Sequence, residues 1–305
     1  MSAHTIAIIG AGSVGSTIAH TLILRRVVGD LILVDIDDEL CRAQVDDLSD
    51  GTFLSDVRIR QGTLEDARKA EITIVTAGAK QRPGDTRLDL IDRNYKVLHS
   101  VLAGMQPMRP DAVLLLVANP VDVLTAMAQK MSGLPREQVL GSGTLLDSVR
   151  LTRMLAHRLK VADRSVHATI IGEHGDSQCV AWSATTVSGQ PLARVLPLSS
   201  EELSTIANAT RDKAGSIIAA KGFTSFGVAA ATTMLCESII FDQRHVLPVS
   251  HWREELECCL SLPAVLGRKG VVGGLPFKLD EGEQDALEKS AKSIRDVMAM
   301  CAKYV

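Results

Sequence analysis

At 305 residues the chain has room for about two domains of roughly 150 residues each, and a composition 46% hydrophobic and 23% charged excludes a largely disordered protein. A formal net charge of −3, with basic runs no longer than pairs such as Arg25-Arg26 and Arg268-Lys269, gives no electrostatic footprint for nucleic acid or an anionic membrane. Six scattered cysteines lack any Cys-x-x-Cys spacing, so neither a zinc site nor a redox dithiol is expected, and the metal prediction is none. The apolar run at 6–9 is too short for a signal peptide or a membrane span, and the chain reads as cytoplasmic.

In chain order, short aliphatic runs at 5–9, 31–34, 57–60, 72–75 and 113–117 read as strands. Their apolar residues are consecutive and not alternating, as in parallel strands buried on both faces. Helical stretches at 13–26, 38–48, 85–105 and 121–130 lie between them, and residues 138–140 predict a sixth strand. Repetition of strand, helix and strand implies an open parallel sheet with right-handed crossovers. After Gly141–Gly143 the rhythm changes. A helix is expected at 145–158, a strand at 166–172, a hairpin tip at Ser188-Gly189-Gln190, and long helices at 201–220 and 226–241. A strand pair at 246–249 and 258–264 and a final helix at 280–303 complete the reading. The expected division is a nucleotide-binding domain over 1–141 and a substrate-binding, catalytic domain over 142–305.

Gly10-Ala11-Gly12-Ser13-Val14-Gly15 follows the first strand and opens the first helix. In that context the glycines fit a dinucleotide fingerprint: a tight turn, close approach of a pyrophosphate, and close helix–strand packing. The helix N-terminus supplies free N–H groups and the positive dipole end for phosphate. Asp35, 20 residues past Gly15, can accept both ribose hydroxyls of adenosine and would repel a 2′-phosphate, which favours NAD over NADP. The fold class is therefore α/β, a Rossmann-type doubly wound parallel sheet followed by an α+β catalytic domain. Of the two acidic residues that follow, Asp38 is expected to cap the second helix.

His174 lies in Gly172-Glu173-His174-Gly175-Asp176, at the end of an apolar strand, where an imidazole is accessible and titrates near neutrality. Asp147 and Arg150 are three residues apart near the start of a helix and share one face. Arg87 falls in the first turn of the helix expected at 85–105, where a cation meets the unfavourable dipole end. Asn119 follows the fifth strand at its carboxyl end, the side on which open parallel sheets bind ligands.

These positions, read with GAGSVG, TAGAKQRPGDTRLDLIDRN (76–94), ANPVDV (118–123), GTLLDSVR (143–150), GEHGDS (172–177), KGFTSFG (221–227) and VLPVS (246–250), resemble the lactate/malate dehydrogenase family along essentially the whole chain, most closely its lactate branch. The resemblance implies reversible hydride transfer between NADH and pyruvate. His174 would be the acid/base, with Asp147 orienting its ring. Arg150 would grip the substrate carboxylate, and Arg87, on a lid, would polarise the carbonyl. Asn119 would contact nicotinamide and substrate, Thr224 would line the pocket, and Thr76, Ala77 and Gly78 would border the cofactor.

Gln81 is the residue that separates substrates in this comparison. Malate enzymes of the family carry arginine at the matching position, and a second substrate carboxylate buried without a cation would be costly. A neutral Gln81 suits the methyl group of pyruvate, although Arg82 next to it would favour malate after a one-residue shift. A malate enzyme, a branched 2-hydroxyacid dehydrogenase and a non-enzymatic NAD-binding protein are the alternatives. The last should lack His174, Arg150 or Arg87, and all three are present. Family members are homodimers or homotetramers, and the chain is expected to lack the N-terminal arm of the vertebrate enzymes. His167 matches half of the fructose 1,6-bisphosphate site of some bacterial members, but Thr152 stands where they have arginine, so little activation is expected.

Overall fold

The computed structural model describes residues 4–79 and 86–301, and of Arg87 the backbone alone. The first half runs β1 (Thr5–Ile9), α1 (Ser13–Arg25), β2 (Asp30–Val34), α2 (Asp38–Asp50), β3 (Arg58–Gln61), α3 (Leu64–Ala67), β4 (Ile72–Val75), α4 (Arg87–Gly104), β5 (Val113–Leu116), α5 (Val121–Met131) and β6 (Val139–Gly141). The second runs α6 (Leu145–Leu159), β7 (Val166–His167), β8 (Ile170–Ile171), β9 (Cys179–Val180), β10 (Thr186–Val187), β11 (Gln190–Pro191), α7 (Leu192–Val195), α8 (Ser200–Lys221), α9 (Phe226–Ile240), β12 (Val246–Arg253), β13 (Cys258–Gly267), β14 (Gly270–Gly274) and α10 (Glu281–Met300).

Strands β1 to β6 are parallel and ordered β6-β5-β4-β1-β2-β3, so the strand order reverses between β1 and β4. That reversal opens a crevice at the carboxyl ends of the strands, where nucleotides bind in such sheets. The consecutive apolar residues have the expected cause. Ile6 and Ile8 enter a core beneath α1 and α9, while Ala7 and Ile9 enter a second core beneath α4 and α5. Successive side chains of a strand point to opposite faces, so a strand covered on both sides must be apolar throughout.

The sheet does not stop at β6. Strands β12, β13 and β14 continue it as antiparallel members, giving nine strands among the described residues. The join is the pairing of Ser250 with Gly141. A Cβ on Gly141 would lie 2.5 Å from Thr125 Oγ1 and 2.7 Å from Val121 Cγ2, so only glycine lets β6, β12 and α5 approach this closely. The two halves thus share a sheet, and they share a core through α1 and α9.

Two expectations need correction. The strand foreseen at 166–172 is broken into β7 and β8, which pair with different partners, β10 and β9. The backbone groups of Ile170 go partly to α6: its N–H donates to Ser148 Oγ at 2.9 Å and its carbonyl accepts from Thr144 Oγ1 at 2.5 Å. The cap of α2 is Asp37, which accepts from Leu40 N at 3.0 Å; Asp38 instead accepts from Gln61 Nε2. The hairpin tip is as expected, with Ser188 and Gly189 at φ 48° and 82° between β10 and β11. Cys41, Cys179, Cys236, Cys258 and Cys259 are free thiols, and burial pushes Cys179 and Cys258 up to about 12. No helix among the described residues is long and apolar enough to cross a membrane.

Candidate active site

The nucleotide end is built by the β1–α1 turn. Gly10 has φ +110°, and a Cβ there would lie 2.6 Å from Thr76 Oγ1; a Cβ on Gly15 would fall 1.8 Å from Gly10 O. Around Gly12, by contrast, an added Cβ would meet nothing within 4 Å. The turn is therefore packed tightly inward and open outward. Helix α1 begins at Ser13 and Val14 with no side-chain cap and no acidic residue in its first turn. Helices α3, α4, α8 and α10 instead close their N-termini with capping boxes. An uncapped N-terminus over open space is what a pyrophosphate requires.

Asp35 stands beside this turn at the end of β2. Its Oδ2 accepts from Ala11 N at 2.6 Å and its Oδ1 from Asp37 N at 3.0 Å, which fixes the carboxylate at the mouth of the crevice. Thr76 follows β4 and donates from Oγ1 to the carbonyls of Ile9 and Gly10, at 3.1 and 3.0 Å. Ala77 and Gly78 continue that loop, and the exposed Asn119 follows β5 at the same end of the sheet. The expected cofactor residues are thus brought to one edge.

A second group of polar residues is built by α6 and the loop after β8. His174 Nδ1 lies 2.6 Å from Asp147 Oδ2, and Arg150 Nη1 donates to Asp147 Oδ1 at 3.1 Å. Asp147 spans from the imidazole to the guanidinium with one oxygen for each. Its side chain is 3% exposed against 28% for His174, so the carboxylate is hidden while part of the ring stays accessible. A carboxylate can only accept, so Nδ1 carries the proton and Nε2 is the nitrogen that titrates. Burial acts most strongly on the ring, against its charged form. The hydrogen bond and charge of Asp147, with the charge of Asp122, outweigh burial and the opposing Arg150, and the His174 pKa is raised above its ordinary value.

Thr224 is half-buried just before α9. The first turn of α9 packs on that of α6, with an added Cβ on Gly227 reaching Leu146 Cδ1 at 3.0 Å, so the Thr224 segment lies near the Asp147 end of α6. Gln81 and its neighbour Arg82, with the rest of 80–85, lie outside the described residues, and so does the side chain of Arg87. The backbone places Arg87 as the first residue of α4, after the N-cap Thr86.

Several residues that order the site escaped the reading of the sequence. The Asn94 carboxamide accepts from Ala79 N at 2.5 Å and donates to Asn119 O at 2.6 Å, tying the loops after β4 and β5 together. The signal was present: Asn94 interrupts the apolar stripe of α4 formed by Ile91, Leu98, Val101 and Leu102, and a polar residue in such a stripe needs partners. Ser290 on α10 holds the loop through Glu173 N at 2.8 Å and Ser177 Oγ at 3.0 Å. Asp122 accepts from His174 N at 2.7 Å.

An uncapped helix over a glycine turn, an acid at the end of β2 and a histidine–carboxylate–arginine group facing them define a dinucleotide-dependent enzyme site. Comparison with known proteins gives the family. Residues 4–141 match the family described as lactate/malate dehydrogenase, NAD binding domain, and residues 144–305 its alpha/beta C-terminal domain. The chain is 44% identical over 292 residues to L-lactate dehydrogenase A of Rhizopus oryzae, covering 96% of this chain and 91% of that one. It is 41% identical over 300 residues to L-lactate dehydrogenase of Thermus aquaticus, covering 95% and 97%. Among solved structures, a lactate dehydrogenase from a Medee basin deep-sea metagenome library superposes with a TM-score of 0.94 at 33% identity, covering 98% of this chain and 99% of that one. The chain belongs to the lactate/malate dehydrogenase family, and its cofactor is NAD.

Proposed function

We propose that the chain is an L-lactate dehydrogenase that interconverts pyruvate and L-lactate. The observation that carries this reading is the His174–Asp147–Arg150 group at the carboxyl edge of the NAD-binding sheet. NAD, when bound, supplies or accepts the hydride. Gly10, Gly12 and Gly15, with the N–H groups of Ser13 and Val14, cradle the pyrophosphate, and Asp35 takes the ribose hydroxyls. Thr76, Ala77, Gly78 and Asn119 border the nicotinamide half. Arg150 binds the substrate carboxylate with the N–H groups that Asp147 does not engage. Nε2 of His174 gives its proton to the carbonyl oxygen in pyruvate reduction and removes it from the hydroxyl in lactate oxidation. Arg87 stabilises the developing alkoxide, and Thr224 and Gln81 line the side of the substrate methyl group.

Within this reading residues 1–141 bind the cofactor and 142–305 supply the acid/base and carboxylate-binding groups. The enzyme acts in the cytoplasm, in glycolysis and fermentation, as a homodimer or homotetramer. With threonine at 152, fructose 1,6-bisphosphate leaves pyruvate kinetics essentially unchanged.

The raised His174 pKa sets the pH dependence. Pyruvate reduction needs the protonated ring, so kcat/KM for pyruvate is full below that pKa and declines as pH rises through it. Lactate oxidation needs the neutral ring and follows the opposite course. Profiles of both directions check this; an alkaline rise in pyruvate reduction would remove His174 from the role. Specificity is tested by Gln81→Arg. The added cation should shift the ratio of oxaloacetate to pyruvate kcat/KM towards oxaloacetate by about tenfold or more, and an unchanged ratio would show that position 81 does not face the substrate.

A further inference from the structure

We infer that Asp122 is a second carboxylate serving His174, a positioning residue that fixes the catalytic loop to the nicotinamide end of the cleft and holds the imidazolium by its charge. This rests on the acid/base reading of His174.

Asp122 lies in the first turn of α5, three residues after Asn119, and is 2% exposed. Its Oδ2 accepts the backbone N–H of His174 at 2.7 Å. A three-residue step and one hydrogen bond thus connect the residue expected beside the nicotinamide to the residue expected to deliver the proton. Asp147 approaches the histidine from α6 through the ring, and Asp122 approaches it from α5 through the main chain. The two contacts come from different elements, so together they restrict both the position of the loop and the rotation of the ring.

The remaining oxygen carries the argument further. Asp122 Oδ1 makes no hydrogen bond of good geometry among the described residues, but the Ser250 hydroxyl lies close enough to donate towards the carboxylate and favours its ionised form. An asparagine here would keep the bond from His174 N through its Oδ1 and could offer its amide to Ser250. On hydrogen bonding alone asparagine would serve as well, and it would avoid the cost of taking a charge out of water. Burial drives the Asp122 pKa up, to about 6, so its ionisation at neutral pH costs stability. What asparagine lacks is negative charge, and that charge raises the His174 pKa. The other groups facing this pair are Asp147 and Arg150 on α6, Glu173 on the loop, and Cys258 and Cys259 on β13. Both thiols stay protonated at neutral pH, because burial pushes them well above their ordinary value.

The test is Asp122→Asn in the full-length enzyme, read by thermal unfolding and by the pH profile of pyruvate reduction. The expected result separates the two readouts. Tm is unchanged or higher, while the alkaline decline in kcat/KM moves to lower pH and turnover at pH 8 falls about 3- to 10-fold, the scale of one partly screened charge. Asp122→Leu, which removes the acceptor too, loses more activity at every pH. A variant with a lower Tm and a wild-type pH profile would overturn the inference, as would one too unstable to purify. If instead the wild type shows no alkaline decline, or His174→Asn stays active, it is the acid/base reading that fails.

Discussion

Replacing His174 with asparagine is expected to lower kcat for pyruvate reduction by about a thousandfold or more, within the range of general acid catalysis by a positioned side chain. Asparagine has nearly the reach of the imidazole to Asp147 and can donate an amide N–H in place of Nδ1. The buried carboxylate therefore keeps a partner, as it also keeps Arg150 at 3.1 Å. What is lost is a group that can hold a proton and give it up near neutral pH. The proposed nucleotide cradle around Gly10, Gly12, Gly15 and Asp35 belongs to other elements, and NADH affinity, followed by its fluorescence, should change little. An enzyme with this substitution and activity within tenfold of wild type would show that another group supplies the proton.

The second large effect is expected at Arg150. Arg150→Lys keeps the charge but gives up the planar fork that can meet a carboxylate with two parallel bonds. The residue is 9% exposed and already commits one arm to Asp147. A lysine ammonium cannot serve both the aspartate and the substrate from that position. kcat/KM for pyruvate should fall about 10²- to 10³-fold, equivalent to about 3–4 kcal/mol, the range for truncating one partner of a buried charge pair. Much of the loss should appear in KM. If KM for pyruvate is unchanged, the substrate carboxylate is held elsewhere.

The parallel half of the fold was legible because its strands carry a pattern with one explanation. Strands β1, β4 and β5 are apolar without alternation and lie between two helical layers. The continuation of the sheet through β12 to β14 was not legible, because it depends on a single close approach between Gly141 and Ser250 that no local periodicity records. Strand 166–172 failed for a similar reason: hydroxyls of Ser148 on α6 and of its N-cap Thr144 take the backbone groups of Ile170, and a sequence shows no such distant partner.

The site divides in the same way. The glycine turn and Asp35 follow from local context, and Asp147 and Arg150 share a helical face by their spacing. That Asp147 meets His174, 27 residues away, came only from family resemblance and stands in the structure at 2.6 Å. Asn94 and Asp122 do their work from buried positions on helices, where a lone polar residue is easily taken for a cap or a tolerated exception. The partners that make sense of them lie on other loops.

One assay tests the substrate directly. NADH oxidation by the purified enzyme is followed with pyruvate, oxaloacetate and a branched 2-oxoacid under identical conditions. Pyruvate should give the highest kcat/KM, because in the proposed site Arg150 would answer one carboxylate and a neutral Gln81 would offer nothing to a second. A clear preference for oxaloacetate would contradict the account, and a preference for the branched acid would keep the chemistry but refute the assigned substrate.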